Sequence, residues 1–458
     1  MKNSRSTGSS TPRTANTPST HDSRATRRVA LATLSGTVLE GYDFFVYGTT
    51  SALVFNSQFF PSLSPTAGTL AAFSTFAVGF AARPVGGLVF GHFGDRVGRK
   101  GTLVVSLLMM GIATTLIGLV PTFAVIGVWA PVLLVLLRFV QGIALGGEMA
   151  GATLLSMEHA PDGRKNLFAG FPQMGTPAGL VLANLVILTT GAVMPDAAFT
   201  AWGWRIPFLL SGILVVLGLF VRLRVAESPS FAAAVSADRV VANPLRESLK
   251  VGFPRLAATL FAAVASGAVG YVFMVYSLSY GTSTVGFDRQ YLVLCVTAAA
   301  AVWCCLIPVW TMVADRFGRR RMFLAGSGAL LVAGSVFLPL VDTGSRGVTL
   351  AAFLMMGLVM PITHSVQGAI IADTFPVHVR YSGSSLVMQT GAIIGGGLAP
   401  MIAVALQDAT GSSAGVTLYA GGISLISLVA AVLMFRMPPL ATGEPAPAPA
   451  RERQSEAV

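Results

Sequence analysis

The sequence predicts a polytopic α-helical membrane protein, and three of its properties support that class. Of its 458 residues, 53% are hydrophobic and 11% are charged, whereas about a quarter of a typical soluble domain is charged. The mean hydropathy of +0.72 leaves too few polar residues to cover a soluble protein of this size. The hydrophobic residues also fall into runs of about 20, the length that a helix needs to cross a bilayer. Together these properties exclude a soluble enzyme, a disordered chain and a secreted disulfide scaffold.

Twelve apolar runs are each long enough for a transmembrane helix. In chain order they cover residues 29–57, 68–93, 102–120, 124–156, 166–192, 205–224, 254–282, 291–314, 322–341, 347–373, 383–408 and 414–437. The length of the first run favours a retained helix over a signal peptide. Residues 1–28 are expected to form a disordered basic cytoplasmic tail, and residues 438–458, rich in Pro and Ala, a second disordered tail.

The positions of lysine and arginine predict the orientation. Most of the 30 basic residues lie at the termini and in loops on the N-terminal side of the membrane, and Arg205, Arg289 and Arg346 lie near the other side. Cytoplasmic loops carry such an excess, so we expect both termini to be cytoplasmic and the chain to lie in the cell membrane. The net charge of +11 therefore indicates topology and gives no reason to expect a nucleic-acid partner.

The two halves of the sequence repeat each other. The segment GHFGDRVGRK at 91–100 recurs as TMVADRFGRR at 311–320, each between the second and third runs of its half. A second echo follows the fourth run of each half, where Glu158 and Lys165 recur as Asp373 and Arg380. We therefore predict two parallel six-helix bundles, residues 29–224 and 254–437, with residues 225–253 as a cytoplasmic linker.

The chain resembles the major facilitator superfamily, and within it the metabolite:proton symporter branch of shikimate, carboxylate and proline-betaine transporters. The motifs that carry the resemblance are the duplicated D-R-x-G-R loop, GYDFFVYG at 41–48, RFVQGIALGGE at 138–148, WGWRIPFLLS at 202–211 and FPVHVRYSGSSL at 375–386. The resemblance implies the major facilitator fold and proton-coupled transport by alternating access.

In that superfamily the loop motif forms contacts that hold the outward-open state, and the resemblance implies the same role here. Glycines allow a tight turn, and the basic residues can reach carboxylates at helix ends. The candidate latch residues are Gly91, Asp95, Arg96, Arg99, Glu158, Asp315, Arg316, Arg319, Asp373 and Arg380. The alternative is that the basic residues only set the topology.

Ionisable side chains inside a membrane segment are costly, and they are candidates for function by default. Asp43 lies near the centre of the first run, and Arg138 in the fourth. Burial favours the protonated form of a carboxyl group and a neighbouring arginine favours the ionised form, so such a pair can couple proton binding to conformation. Asp43 is the predicted proton site and Arg138 its partner, unless the two form a static ion pair. Glu40 and Glu148 are candidate proton relays, or polar contacts between helices.

Arg83, in the second run, can bind a substrate carboxylate bidentately, or it can pair with Glu40 or Glu148. The other candidate substrate-binding residues are Gln141, Gln173, Tyr276, Tyr280 and Gln389. For His364, hydrogen-bonded packing is preferred to a proton relay. Cys295, Cys304 and Cys305 share one apolar run and are expected to pack as small apolar residues.

The predicted function is import of a small carboxylate, shikimate-like or a dicarboxylate, driven by the proton gradient without a cofactor. The alternatives are uptake of a zwitterionic osmolyte such as proline or betaine, and export. The sequence has no metal-ligand set, nucleophile motif or phosphate loop, so we expect no metal and no enzymatic activity. The expected partners are the solute, protons and the bilayer, and the chain is expected to act as a monomer.

Overall fold

The fold is known from a computed structural model, which describes residues 20–97, 99–146, 152–153, 156, 165–223, 252–375 and 380–438. Within these ranges, the side chains of residues 20–30, 91–97, 99–100, 102–103, 165–166, 221–223 and 380–382 are not described. The described chain is helical apart from short connections, and most of its long helices contain an extended apolar stretch.

The described residues of the first half form six main helices. Helix α1 is Thr20–Thr50 and continues through a π-helical turn, Ser51–Phe55, into Asn56–Phe59. The next five are α2 (Pro65–Val97), α3 (Arg99–Leu119), α4 (Trp129–Leu145), α5 (Lys165–Val193) and α6 (Ile206–Leu223). Short helices precede α4 at Phe123–Ile126 and α6 at Asp196–Ala201 and Gly203–Arg205.

The second half repeats this series. Helix α7 begins as Phe253–Tyr271 and continues through Val272–Tyr276 (π), Ser277–Tyr280 and Gly281–Val285 (π). Helices α8 (Arg289–Phe317), α9 (Arg319–Val341) and α10 (Arg346–Asp373) follow. Helix α11 runs as Arg380–Ala392, a π turn Ile393–Gly397 and Ala399–Thr410, and α12 is Ala414–Arg436.

Each of the twelve predicted runs corresponds to one of these helices, with three differences. Helix α1 begins at Thr20, inside the segment predicted as a tail. The fourth run is broken at Gly127, which has a φ of +56° and separates the short helix Phe123–Ile126 from α4. The approach to α6 bends by 49°. By length and hydropathy alone, eight of the described helices qualify as spans, or nine with that bent pair.

Helix packing confirms the duplication. In the first half α1 packs on α5, α2 on α4 and α3 on α6, and in the second half the matching pairs α7–α11, α8–α10 and α9–α12 are in contact. Between the halves, α2 packs on α11 and α5 on α8. Helix α2 of the first half corresponds to α8 of the second, and α5 to α11, so an operation that swaps the halves carries one of these pairs onto the other. The bundles are therefore related by an approximate twofold axis.

The outer surface is apolar, as a bilayer requires. Leu418 is 76% exposed and Val216 66% exposed, although both lie on long helices. Exposed apolar patches of this kind mark contact with lipid or protein. We call the side at which α1, α3 and α7 begin the linker side, because residues 225–253 join the halves there. The opposite side, with the loops at 60–64, 194–205 and 286–288, is the far side.

Candidate functional site

Five aromatic rings fill the space where the two halves meet. Phe44 and Phe45 of α1, Phe76 and Phe80 of α2, and Tyr271 of α7 form what we call the aromatic centre. The centroid of the Phe44 ring lies 4.8 Å from that of Phe76, 5.0 Å from that of Phe80 and 5.9 Å from that of Tyr271. Tyr271 is thus the contribution of the second half to a cluster that belongs otherwise to the first.

Two guanidinium groups lie against this centre. The Cζ atom of Arg83 is 4.8 Å from the centroid of Phe44 and 4.6 Å from that of Phe80. The Cζ atom of Arg138 is 4.6 Å from the same Phe44 ring and 4.2 Å from Tyr47. Cation–π contacts of this kind stabilise a buried cation without neutralising its charge. The positively charged groups of Arg83 and Arg138 therefore contact the same ring, that of Phe44, at the centre of the molecule.

Some N–H groups of these arginines lack hydrogen-bond partners among the described residues. They are Nε of Arg83, and Nε and Nη2 of Arg138. Arg138 is fully buried, and an unsatisfied buried donor is costly. Because a guanidinium binds a carboxylate through two parallel N–H groups, an anion reaching this region would neutralise charge and satisfy donors together.

Glycines in α2 and α4 bring the two arginines to the same place. A Cβ atom on Gly142 would lie 2.2 Å from the carbonyl oxygen of Gly79, and one on Gly86 would lie 1.8 Å from that of Ile143. Small residues let membrane helices approach until their backbones touch. This close crossing places Arg83 of α2 and Arg138 of α4 on the aromatic centre from adjacent helices.

Asp43 is buried inside the first bundle. Its Oδ1 accepts a hydrogen bond from the hydroxyl of Ser211 on α6, and its Oδ2 has no hydrogen-bond partner within the described part of the chain. The side chain is 2% exposed. A carboxyl group with one oxygen satisfied and one free can take up or release a proton without the loss of an established bond.

Asp43 and Arg138, the predicted proton site and its partner, both lie against Gln141, and the static ion pair that was the alternative is not seen among the described residues. Gln141 Oε1 accepts from Nη1 of Arg138 at 2.5 Å, and its Nε2 donates to Thr114 Oγ1 at 2.8 Å and approaches the Asp43 carbonyl oxygen at 3.5 Å. The physical reason is that the Arg138 guanidinium packs among the aromatic rings while the Asp43 carboxyl group reaches α6. Gln141, a predicted substrate ligand, thus serves as the bridge.

Gln173 and Gln389 each form a hydrogen bond between the two bundles, and both bonds lie nearer the linker side than the far side. Gln173 Oε1 of α5 lies 2.8 Å from His364 Nε2 of α10, and Gln389 Nε2 of α11 donates to the Gly146 carbonyl oxygen at 2.8 Å. The His364 ring also packs on Trp303, with centroids 5.0 Å apart. His364 therefore has the hydrogen-bonded packing that we expected of it.

Tyr276 and Tyr280 share a face of α7, but they lie away from the aromatic centre. Their rings stack with centroids 5.6 Å apart. The Tyr276 hydroxyl donates to Gln407 Oε1 at 2.8 Å, and the Tyr280 hydroxyl to Asp342 Oδ1 at 2.6 Å. Because Gln407 and Asp342 belong to the second bundle, these hydrogen bonds tie α7 to its own bundle, and Tyr271 is the tyrosine of α7 that packs in the aromatic centre.

Of the candidate latch residues, Arg319 and Asp373 form an ion pair between the start of α9 and the end of α10. Gly318 precedes it with a φ of +88°, which a residue with a side chain rarely adopts. Asp315 and Arg316 lie in the last turn of α8. The backbones of Gly91, Asp95, Arg96, Arg99 and Arg380 are described but their side chains are not, and Glu158 lies outside the described residues.

Of the two glutamates proposed as proton relays, Glu40 is described by the structure. Glu40 is 4% exposed and lies one helical turn before Asp43 on α1. Glu148 lies outside the described residues.

Sequence reasoning missed Ser211 and Thr114, and it preferred Tyr276 and Tyr280 to Tyr271 as candidate substrate-binding residues. Single hydroxyl residues are common in apolar helices, so nothing in the sequence marks Ser211 or Thr114 as a partner of Asp43 or Gln141. Tyr271 could have been chosen because it is the tyrosine of α7 farthest from the membrane interface, where tyrosines are usual.

Comparison with known proteins agrees with this architecture. The family model described as Major Facilitator Superfamily matches residues 33–400 and 296–457. The Escherichia coli inner membrane metabolite transport protein YhjE is 41% identical over 412 residues, covering 89% of this chain and 93% of YhjE. The shikimate transporter of the same organism is 40% identical over 420 residues, covering 89% and 94%.

Two further known proteins are also similar to this chain. The Escherichia coli proline/betaine transporter is 31% identical over 420 residues, covering 89% of this chain and 83% of that protein. Among solved structures, the proton:xylose symporter XylE bound to 6-bromo-6-deoxy-D-glucose superimposes with a TM-score of 0.76 at 16% identity, covering 91% of this chain and 96% of that one. At that identity the likeness shows the fold alone.

Proposed function

The chain belongs to the major facilitator superfamily and is a multi-pass membrane transporter, and we propose that it imports a small carboxylate metabolite together with protons by alternating access. It is a transporter and not an enzyme. The N-terminus and C-terminus would both be cytoplasmic, as the distribution of basic residues predicts.

The observation that carries the proposal is the pair of arginines on one aromatic ring. Arg83 and Arg138 both face Phe44, and both have N–H groups without partners among the described residues. A carboxylate bound there would accept from those groups, and its carbon skeleton would pack on Tyr271 and on the edges of the Phe44 and Phe80 rings, whose faces the guanidinium groups occupy. Aromatic walls with a few charged groups are typical of sites for small organic ligands. A shikimate-like ring acid has both the anionic group and the apolar edge that this site would select.

Asp43 is the proposed proton site. It lies in the same bundle as Arg138, and Gln141 accepts from Arg138 and approaches the main-chain carbonyl oxygen of Asp43. When an anion binds Arg138, less positive charge is left to stabilise an ionised Asp43, so substrate binding favours protonation of the carboxyl group. Solute and proton would therefore be bound and released together.

Counterflow in proteoliposomes tests the substrate class. Vesicles loaded with unlabelled solute are diluted into labelled shikimate, 2-oxoglutarate or betaine, and trapping of label identifies a substrate without any imposed gradient. We expect trapping of a carboxylate that carries no cationic group, and we expect Arg83→Gln to weaken it. Trapping of betaine with neither acid would contradict the proposal.

The second candidate is uptake of a zwitterionic osmolyte. It is favoured by the 31% identity to proline/betaine transporters and by the aromatic centre, since aromatic rings bind quaternary ammonium groups. In this structure, however, the faces of Phe44 and Phe80 are already occupied by guanidinium groups. A second cation is disfavoured at such a site, and for that reason we place the carboxylate first.

A further inference from the structure

A cleft opens on the linker side of the second bundle, away from the aromatic centre. Its volume is about 320 Å³. It lies among the ends of α7, α9, α10 and α12, and its lining residues are Arg255, Arg319, Arg320, Ile370, Asp373, Thr374, Met434 and Phe435.

The cleft carries more positive than negative charge. Arg319 is paired with Asp373, the one carboxylate among the lining residues. No carboxylate of the described residues forms an ion pair with Arg255 or Arg320. Arg255 donates to the carbonyl oxygen of Pro438, and the Cζ atom of Arg320 lies 5.6 Å from the centroid of the Phe435 ring. Two guanidinium groups in the cleft are thus held in place by neutral partners.

The rest of the lining is apolar and lies where the helices leave the membrane. Ile370, Met434 and Phe435 belong to the last turns of α10 and α12, and Phe253, at the start of α7, is 81% exposed. A ligand of this cleft would place an anionic group on the arginines and an apolar portion against these side chains. Basic pockets between helices at the cytoplasmic membrane surface suit lipid headgroups in this way.

We propose that this cleft binds the phosphate group of an anionic phospholipid, with Arg255 and Arg320 as its ligands and the acyl chains along α12. The ligand chemistry is a phosphate monoanion with an apolar attachment. An inorganic phosphate would meet the same arginines without the apolar contact. This cleft is separate from the aromatic centre, and lipid binding there does not depend on which solute the protein carries.

Native mass spectrometry of the purified full-length protein in a neutral detergent tests the site. The protein is titrated separately with phosphatidylglycerol, phosphatidylcholine and inorganic phosphate, and the dissociation constant of the first bound molecule is measured. Each arginine near a membrane surface favours anionic lipid by about fivefold, so R255Q/R320Q should weaken phosphatidylglycerol binding about 25-fold. R255K/R320K keeps both charges and should retain most of the binding, which also controls for folding.

The matched control is R321Q/R436Q. It removes two exposed basic residues from the same side of the molecule, neither of which lines the cleft. We expect the control to bind phosphatidylglycerol as the unmodified protein does. If R255Q/R320Q and R321Q/R436Q lose equal affinity for phosphatidylglycerol, the lipid is held by diffuse attraction to the basic surface and not by this cleft. That result would overturn the proposal. Binding of inorganic phosphate that requires Arg255 and Arg320, with no preference for phosphatidylglycerol over phosphatidylcholine, would also overturn it.

Discussion

At the scale of single residues, the proposed function depends on three ionisable groups in the first bundle. Asp43, Arg83 and Arg138 were all identified from the sequence, because charged residues are rare in apolar runs and each therefore stands out. Their partners were not identified. Ser211, Thr114 and Tyr271 are ordinary residues for a membrane helix. Only the packing of the helices brings Ser211 to Asp43, Thr114 to Gln141 and Tyr271 to Phe44.

Substitution of Asp43 by asparagine removes the proposed proton site and preserves its size. For one proton carried with one monocarboxylate, a pH difference of one unit supports about tenfold accumulation. We expect D43N to lose this accumulation, because asparagine cannot release a proton, and to retain counterflow exchange. S211A, which removes a hydrogen bond but no ionisable group, should keep accumulation with a changed pH dependence. Full pH-driven accumulation by D43N would remove Asp43 from the coupling mechanism.

Substitution of Arg83 tests the anion site. Hydrogen bonds to charged groups contribute about 1.5–3 kcal/mol, so R83Q should raise the KM for the carboxylate about 10- to 100-fold. R83K should recover part of the loss, because lysine keeps the charge but not the bidentate geometry. Arg346 is exposed on the far side, and R346Q serves as the control. An unchanged KM in R83Q would show that Arg83 does not touch the solute.

At the scale of helices, the sequence predicted the number and order of the elements well. A run of about 20 apolar residues has few other stable conformations in a bilayer, so each of the twelve runs became a helix. Helix interruptions were not predicted. The π turns in α1, α7 and α11 depend on contacts made after folding, such as the packing of Gly396 against Phe80 and Tyr271, which periodicity does not encode.

The close crossing of α2 and α4 leads to a stability prediction. In G142A the new methyl group would overlap the Gly79 carbonyl oxygen, so the helices must separate, at a cost of about 1–3 kcal/mol. The unfolding temperature in detergent should fall, and solute affinity should fall with it because Arg83 and Arg138 move apart. Gly328 of α9 has nothing within 4 Å of its Cβ position, so G328A is the control and should be neutral. Equal unfolding temperatures for the two variants would contradict the prediction.

At the scale of the whole molecule, the two bundles touch on both sides of the aromatic centre. On the far side Arg289 pairs with Asp196, and Gln290 Nε2 donates to the Gly191 carbonyl oxygen at 2.7 Å. Nearer the linker side are the Gln173–His364 and Gln389–Gly146 hydrogen bonds. The repeated loop motif predicted two matching lobes, but which side chains meet between them depends on the relative placement of the lobes, which the sequence does not specify.

Alternating access requires each set of contacts to break in turn. In a background without Cys295, Cys304 and Cys305, the pairs D196C/R289C and Q173C/H364C can each be joined by a short bifunctional reagent. We expect either cross-link to stop net uptake and cleavage of the link to restore it. The single-cysteine variants, treated identically, are the controls. Uptake that persists at full cross-linking of either pair would contradict rocking of the bundles about the centre.

Coupling of solute to protons is the central claim, and uptake under an imposed pH gradient tests it most directly. Proteoliposomes with an interior one pH unit more alkaline than the medium are given the labelled carboxylate that counterflow identifies. We expect about tenfold accumulation for one proton carried with one monocarboxylate, lost when an ionophore collapses the pH difference. Accumulation that is unchanged after the collapse, or uptake that never exceeds the external concentration, would contradict it.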